Sequence, residues 1–410
     1  VPQDKKSLDP GMVSSIFEDQ PRKKVSGLFE KGDDALREKR SPAEQDETIF
    51  RKKFPFGLDI GSNAVKIVRL GQDKKGLIRV CDLIAEDLPD KVREDPEERN
   101  KILPELVKKL VNKYGLKRDC FTAIPSSSVK IDLIKLPVMP ADEIEKALEW
   151  EIKQTLHADM NETAAEHIIL SRQNETFLRD KIGVLVVTVP RKDVLEHLRV
   201  LGSAGLNVMA VDIRPLADLA ALEHWKGNKI KDDVILFLDF DADKTYLNII
   251  CNGELISTRT LNVTGNYLTS TISEYCGISW NEAEEMKKAY GFGIPEDPYA
   301  SSQLEEKSGQ IRNALLPLLE DMVRNIEHTF KYFSYQVTQS NIVRFNRVVL
   351  SGGSSCLKGL GPYFRSRLDV DAEIIDPLKA FGGDGYNMKE TCMGPRLNVA
   401  LGLALRGVET

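Results

Sequence analysis

The 410-residue chain has little of what a metal or disulfide protein needs. Its six cysteines (Cys81, Cys120, Cys251, Cys276, Cys356 and Cys392) include no Cys-x-x-Cys pair, and no two lie closer than 25 positions. That spacing excludes a zinc ribbon or a redox pair and fits a reducing compartment in which thiols fill the core. The five histidines show no ligand spacing. No apolar run approaches the ~18–20 residues that cross a bilayer, and no charged-then-apolar leader opens the given sequence, so the expected location is the cytoplasm. Positive charge is not in excess either. Setting 57 basic against 63 acidic side chains leaves −6, which provides no field for nucleic acid, and none is expected as a partner.

What remains is an ordinary globular composition, 41% hydrophobic and 29% charged, in a length that suits about two to three domains. Residues 1–50 stand apart, with 20 charged and 14 apolar side chains in no sustained period. Such a stretch buries too little surface to offset its ordering entropy, and residues 1–53 are expected to form a disordered tail. Within it Val13-Ser14-Ser15-Ile16-Phe17-Glu18 recurs as Val25-Ser26-Gly27-Leu28-Phe29-Glu30. Two copies would raise avidity for one unknown partner; a chance echo in a solvating tail is the other reading.

From Phe54 onward strands and helices alternate, which argues an α/β class. Residues 56–61 read as a buried strand entering a glycine turn, and 64–70 as its hairpin partner. Apolar residues at helical spacing mark 97–114, followed by a short strand at 121–124. Residues 126–211 read as an inserted strand–helix–strand–helix subdomain, with strands at 130–136 and 184–189 and helices at 141–156 and 191–204. A polar loop is expected at 171–181. A second half opens at Val234 with another hairpin pair, turning at Asn252-Gly253 because Asn-Gly takes positive φ at both positions. Helices at 264–275, 281–290 and 311–338 follow, then a strand at 347–350. Leu58-Asp59-Ile60-Gly61 in one half echoes Leu238-Asp239-Phe240-Asp241 in the other, the mark of an internal duplication.

Two acidic hairpins and a later glycine pair are what a bilobed phosphate clamp needs. Tight turns expose backbone N–H groups to phosphate oxygens, and glycine permits close approach. Asp59 and Asp239 are the candidates to hold Mg²⁺, which keeps much of its water shell. Gly61, Ser62 and Asn63 form the first turn, with Lys66 as a point charge for phosphate or, alternatively, a solvated strand residue. Asp241, Lys244, Thr245 and Gly265 are the candidates around the second turn. Gly352, Gly353 and Ser354 would let a base or ribose lie against backbone.

These motifs resemble the actin/Hsp70/hexokinase superfamily: Asp59-Ile60-Gly61-Ser62 as phosphate-1, Asp239 in phosphate-2, and Ser351-Gly352-Gly353 as the adenosine loop. More narrowly, four stretches resemble the type IV pilus assembly protein PilM family. They are Leu136-Pro137-Val138-Met139-Pro140, the Glu143 to Glu151 stretch, Ala283-Glu284-Glu285-Met286-Lys287 and the closing Ala400-Leu401-Gly402-Leu403-Ala404-Leu405-Arg406. The resemblance covers residues 54–407. It implies a bilobed actin/Hsp70-like (ribonuclease H-like) fold with an inserted FtsA-like subdomain. The first lobe would be residues 54–125 with 212–233 and a C-terminal helix at 395–410; the insert would be 126–211 and the second lobe 234–394.

The resemblance further implies ATP or ADP with Mg²⁺, and Glu284 and Lys287 at the ribose or base. It implies a cytoplasmic scaffold at the inner face of the inner membrane that grips the N-terminal tail of a PilN-like protein, with the pilus motor ATPase and other platform proteins as further partners. The peptide groove would lie between the first lobe and the insert, read by Ile131, Leu133, Ile134 and Leu136, with Trp150 either beside it or in the core. One departure matters. Where the family has Asp-x-Gly, this chain has Asp239-Phe240-Asp241, and a carboxylate about 4 Å from phosphate repels it by about 1–4 kcal/mol. Nucleotide binding is therefore expected to be weakened and hydrolysis slow or absent, unless a cation sits between. The alternatives are an FtsA-like polymerising protein, which would close on an amphipathic membrane helix rather than on residues 406–410, and a small-molecule kinase, for which no base aspartate stands out.

Overall fold

In the computed structural model, the described residues are 50–89, 92, 96–125, 129–155, 159, 161–170, 181–230, 233–293, 302–338, 345–381 and 392–409. The repeated tail motif and nearly all of the expected loop at 171–181 lie outside them. The first lobe begins with β1 (Phe50–Lys53), β2 (Phe56–Ile60), β3 (Ala64–Asp73) and β4 (Ile78–Asp87), then α1 (Pro96–Lys113) and β5 (Asp119–Ala123). The described residues thus begin with a strand at Phe50–Lys53, which falls within the expected tail. Lys52 pairs opposite Gln72 on β3, and the charges of Arg51, Lys52 and Lys53 suit an edge strand, where lysine discourages further pairing.

The insert follows as β6 (Lys130–Pro137), α2 (Ala141–Thr155), β7 (Thr163–Ile169) and β8 (Lys181–Pro190). Its three-stranded sheet has the order β6-β8-β7. The chain then returns to the first lobe through α3 (Arg191–Ser203), β9 (Asn207–Asp212) and α4 (Arg214–Lys226). The expected boundary at 211 is corrected here. β9 pairs parallel with β5, Asn207 opposite Asp119, and Val200 and Leu201 of α3 join Leu103 and Val107 of α1 in one core. The insert's own sheet therefore ends at Pro190, because the crossover from β5 to β9 needs α3 to cover the first-lobe sheet.

The second lobe contains β10 (Val234–Phe240), β11 (Thr245–Cys251), β12 (Glu254–Leu261), α5 (Gly265–Cys276), α6 (Trp280–Tyr290), α7 (Ser302–Tyr332), β13 (Arg347–Ser351), α8 (Leu360–Leu368) and β14 (Asp371–Ile374). The β11–β12 turn has Asn252 at φ 53° and Gly253 at φ 79°, as the dipeptide predicts. Between α5 and α6 the chain stops on Gly277 at φ 64° and restarts on a capping box of Ser279 with Glu282, which satisfies helix-end groups on both sides of the gap.

The two lobes are copies in topology. The first-lobe sheet runs β4-β3-β2-β5-β9 and the second β12-β11-β10-β13-β14. In each, the central strand pairs antiparallel with the next strand and parallel with the one after the helical excursion. The echo of Asp59 and Asp239 is thus structural: each is the last residue but one in the central strand of its sheet. The last helix, α9 (Asn398–Glu409), returns to the first lobe and packs Ala400, Leu401 and Ala404 against Val68 and Leu70. Contact is close enough that glycine is required at two points. A Cβ on Gly57 would fall 2.0 Å from the Ala400 carbonyl, and one on Gly402 would fall 1.9 Å from that of Ala217 in α4.

Candidate functional site

The two central strands deliver Asp59 and Asp239 to the interlobe cleft, where both are buried. The β2–β3 turn is shaped by the Gly61 amide donating to the Ala64 carbonyl (3.0 Å). Arg99 of α1 donates to the Gly61 and Ser62 carbonyls (2.8 and 3.2 Å), fixing the turn's orientation. The β10–β11 turn closes through the Asp241 amide and the Lys244 carbonyl (3.0 Å). The two acidic hairpins therefore face each other as the duplication predicts.

Between them stands a residue that sequence reasoning missed. Arg214, the first residue of α4, is 7% exposed. Its Nη1 donates to Asp59 Oδ1 (2.8 Å), and its Nη2 donates to Asp239 Oδ2 and Asp241 Oδ2 (both 3.0 Å). Lys66 completes the cluster, 3.2 Å from Asp59 Oδ2 and 3.5 Å from Asp241 Oδ2. Lys66 is buried, not a solvated strand residue. The available signal for Arg214 was its place four residues before Asp218 on a helix whose other early positions are apolar.

The electrostatics follow from this packing. Burial would push the Asp241 carboxyl up, but Lys66 and Arg214 outweigh it and hold it at about 2. Burial opposes the charge on Lys66, yet Asp241 and Asp59 raise its pKa above the ordinary value. Asp239 is raised, chiefly by burial, against the pull of Arg214. Asp218, fully buried one turn along α4, is pushed well up by burial and by the neighbouring Asp239. It accepts one hydrogen bond from Asn398 (2.7 Å). Three carboxylates thus face two cations.

The expected second-turn residues divide. Thr245 is fully buried and donates its hydroxyl to the Val263 carbonyl (2.6 Å), so it is a structural residue and not a phosphate contact. Lys244 sits at the turn, its pKa lowered by burial. Two amides of the first turn of α5 are already used, Gly265 N–H to the Asp241 carbonyl (3.0 Å) and Asn266 N–H to the Ala242 carbonyl (2.8 Å). Asn63 and Asn266 join the two lobes directly, Nδ2 to Oδ1 at 3.1 Å.

The remaining candidates converge on one wall. Lys287 Nζ is 2.6 Å from Glu284 Oε2 and donates to the Gly265 carbonyl (3.0 Å) and to Thr269 Oγ1 (2.6 Å). A Cβ on Gly265 would fall 2.1 Å from Ser354 Oγ. Gly352, at φ 80°, packs so closely that its Cβ would lie 2.5 Å from the Phe240 carbonyl and 2.8 Å from Asp239 Oδ1. Gly265, Glu284, Lys287 and the Gly352-Gly353-Ser354 loop are therefore neighbours in the fold, a glycine-lined wall. The metal half fits less well. Both oxygens of Asp59 accept, one from Arg214 and one from Lys66, and Asp239 Oδ2 accepts from Arg214. Among the described residues Asp239 Oδ1 is buried with no hydrogen-bond partner, and no group of three His, Cys, Asp or Glu side chains is arranged to hold an ion.

The expected peptide readers also divide. Ile134 and Leu136 are 7% and 2% exposed, in a core with Ile144, Leu148 and Ile152 of α2. They cannot read a partner, because alternation along β6 turns them to the insert's own interior. Ile131 and Leu133 point the other way, toward the lobes. Ile131 and Asp132 line a cavity of about 270 Å³ with Ile213, Arg214 and Pro215 of the first lobe and Tyr246 and Thr258 of the second. Within its sheet, β6 pairs only with β8. Trp150 is exposed at 61%, so the core alternative for it is excluded.

Two duplicated sheets meeting at paired acidic hairpins define the class: this is a protein of the actin-like ATPase fold. The FtsA proteins are sequence relatives within it. The chain is 22% identical to the cell division protein FtsA of Enterococcus faecalis (78% of this chain, 78% of that one) and 22% identical to FtsA of Streptococcus pneumoniae (80% and 77%). The family profile described as type IV pilus assembly protein PilM matches residues 57–408, and the chain belongs to that family. A solved PilM-PilN type IV pilus biogenesis complex matches it with a TM-score of 0.71 at 26% identity, covering 87% of this chain and 99% of that one. Among the described residues no helix is long and apolar enough to cross a membrane.

Proposed function

We propose that this chain is a non-catalytic scaffold of type IV pilus assembly, working at the cytoplasmic face of the inner membrane. There it grips the N-terminal tail of a PilN-like protein. The observation that carries the reading is the seam beside β6. An unpaired strand edge offers backbone groups to an extended peptide, and the cavity beside it offers apolar contacts from Ile131, Ile213, Pro215 and Tyr246 together with polar ones from Asp132, Arg214 and Thr258. The solved relative pairs a PilM with a PilN, which supports the same kind of partner here.

A nucleotide belongs to the reading as the ligand of the glycine-lined wall, with Gly265, Glu284, Lys287, Gly352, Gly353 and Ser354 around the nucleoside and the Gly61-Ser62-Asn63 turn toward the phosphates. Arg214 lies both in the carboxylate cluster and in the cavity by β6, so a change in the cleft reaches the peptide seam through one side chain. Catalysis is not part of the proposal. Phosphoryl transfer to an acceptor needs a carboxylate free to take a hydroxyl proton, and Asp59, Asp239 and Asp241 each hold a cation. A photo-crosslinking residue in place of Val129 should capture a PilN-like N-terminal peptide, and one in place of Glu105 on α1 should not. Equal capture at both positions would refute the seam.

A further inference from the structure

The cleft of this chain carries its own cation. We propose that Arg214, with Lys66, occupies by charge the place of a divalent metal between the lobes. On this reading the two halves are held together, and polyphosphate is received, without Mg²⁺. Three independent features of the structure lead there.

The first is geometry. A guanidinium presents its donors in a rigid fork, suited to bridging carboxylates. Arg214 uses one arm on Asp59 of the first lobe and the other on Asp239 and Asp241 of the second. The bridged residues lie 155, 25 and 27 positions away in sequence, so the side chain joins the lobes rather than bracing one turn.

The second is charge. Mg²⁺ demands oxygen ligands in a strict geometry and gives up water reluctantly. Here three carboxylates are balanced to within one charge by two buried cations. Arginine keeps its charge at any accessible pH, so this balance does not relax to admit a metal. A cation at a helix N-terminus also runs against the helix dipole. Arg214 stays there because the three acids more than offset that cost.

The third is Asp241. Where a glycine would leave room for phosphate, this carboxylate accepts from Arg214 at 3.0 Å and faces Lys66 at 3.5 Å. Its carboxylate is shared by both cations, so the repulsion expected from Asp241 toward phosphate is reduced inside the protein.

The test uses the full chain and Mn²⁺ alone, following loss of the free-ion signal by electron paramagnetic resonance. The wild-type chain should take up no cleft-bound Mn²⁺ in the low millimolar range. Arg214→Gln, which leaves three acids against Lys66, should bind Mn²⁺ at least about tenfold more tightly, and adding Asp239→Asn should abolish the gain. Stoichiometric uptake by the wild-type chain that Asp239→Asn removes would overturn the proposal, as would a folded Arg214→Gln with no gain. If Arg214→Gln does not fold, hydrogen exchange of the wild-type chain decides. Protection of residues 56–60 and 234–240 should be the same with Mg²⁺ and with chelator, and a Mg²⁺-dependent rise would overturn the proposal. None of these readouts involves the PilN-like peptide, so this inference and the scaffold reading fail separately.

Discussion

Replacing Arg214 with alanine removes the one group, among the described residues, that touches all three carboxylates of the cleft. Arg214, Asp59 and Asp239 have side chains 8%, 3% and 1% exposed, so solvent cannot take over the guanidinium's role. Stripping one partner from a buried ion pair costs about 3–5 kcal/mol, because the other is left as an uncompensated charge. The loss should sit at the upper end of that range near neutral pH, since three acids would then face Lys66 alone. It should shrink as pH falls, because Asp239 is already pushed up by burial and takes a proton most readily. Urea unfolding followed by circular dichroism, wild type against Arg214→Ala, gives the difference directly. A double-mutant cycle with Asp241→Ala should return a coupling of about 0.5–3 kcal/mol. An exposed pair such as Arg324–Asp321 contributes about 0–1 kcal/mol. A cost that small for Arg214 would refute the buried-cluster reasoning.

Two further outcomes follow from packing and burial. Gly402→Ala places a Cβ 1.9 Å from the Ala217 carbonyl, so α9 must move off α4. The expected destabilisation is about 1–3 kcal/mol or more, read as a lower midpoint in urea, and an unchanged midpoint would mean that the helices do not pack this closely. His197, beside Thr122 Oγ1 at 3.1 Å, and His224, against the Phe381 ring, are each held down to about 4 by burial. Both are neutral in the fold and titrate near 6.5 when unfolded. Their contribution is complete above about pH 6.5 and is lost as pH falls from there toward 4, at most about 3 kcal/mol for each. Urea midpoints across that window should fall with pH, and His197→Gln should flatten the slope; a level profile would contradict the burial of both rings.

How far the sequence could be read depended on whether the signal was local. Asp59 and Asp239 were legible because each ends an apolar run just before a tight turn, and Asn252-Gly253 because that dipeptide names its turn. The sheet that a strand joins is not local information. β9 follows the insert in sequence yet pairs with β5, 88 residues earlier at the Asn207–Asp119 step, so sequence order alone does not show that residues 191–211 pack with the first lobe. β1 was hidden by its own charges, which suit an edge but mask a strand. Alternation in β6 separated Ile131 and Leu133 from Ile134 and Leu136 but did not say which face meets α2. Arg214 went unread because a lone arginine after a strand resembles a surface residue. Only the spatial convergence of three acids explains a cation at the buried start of an apolar helix.

The seam beside β6 as the grip on a PilN-like tail is the central claim. Calorimetric titration of the full chain with the N-terminal cytoplasmic peptide of its PilN-like partner tests it most directly, comparing wild type with Ile131→Asp. Saturable binding is expected for the wild-type chain, with a loss of at least about tenfold for Ile131→Asp, since the apolar contact of Ile131 in the cavity would be replaced by a carboxylate beside Asp132. No binding by the wild-type chain, or equal binding by the variant, would contradict the account.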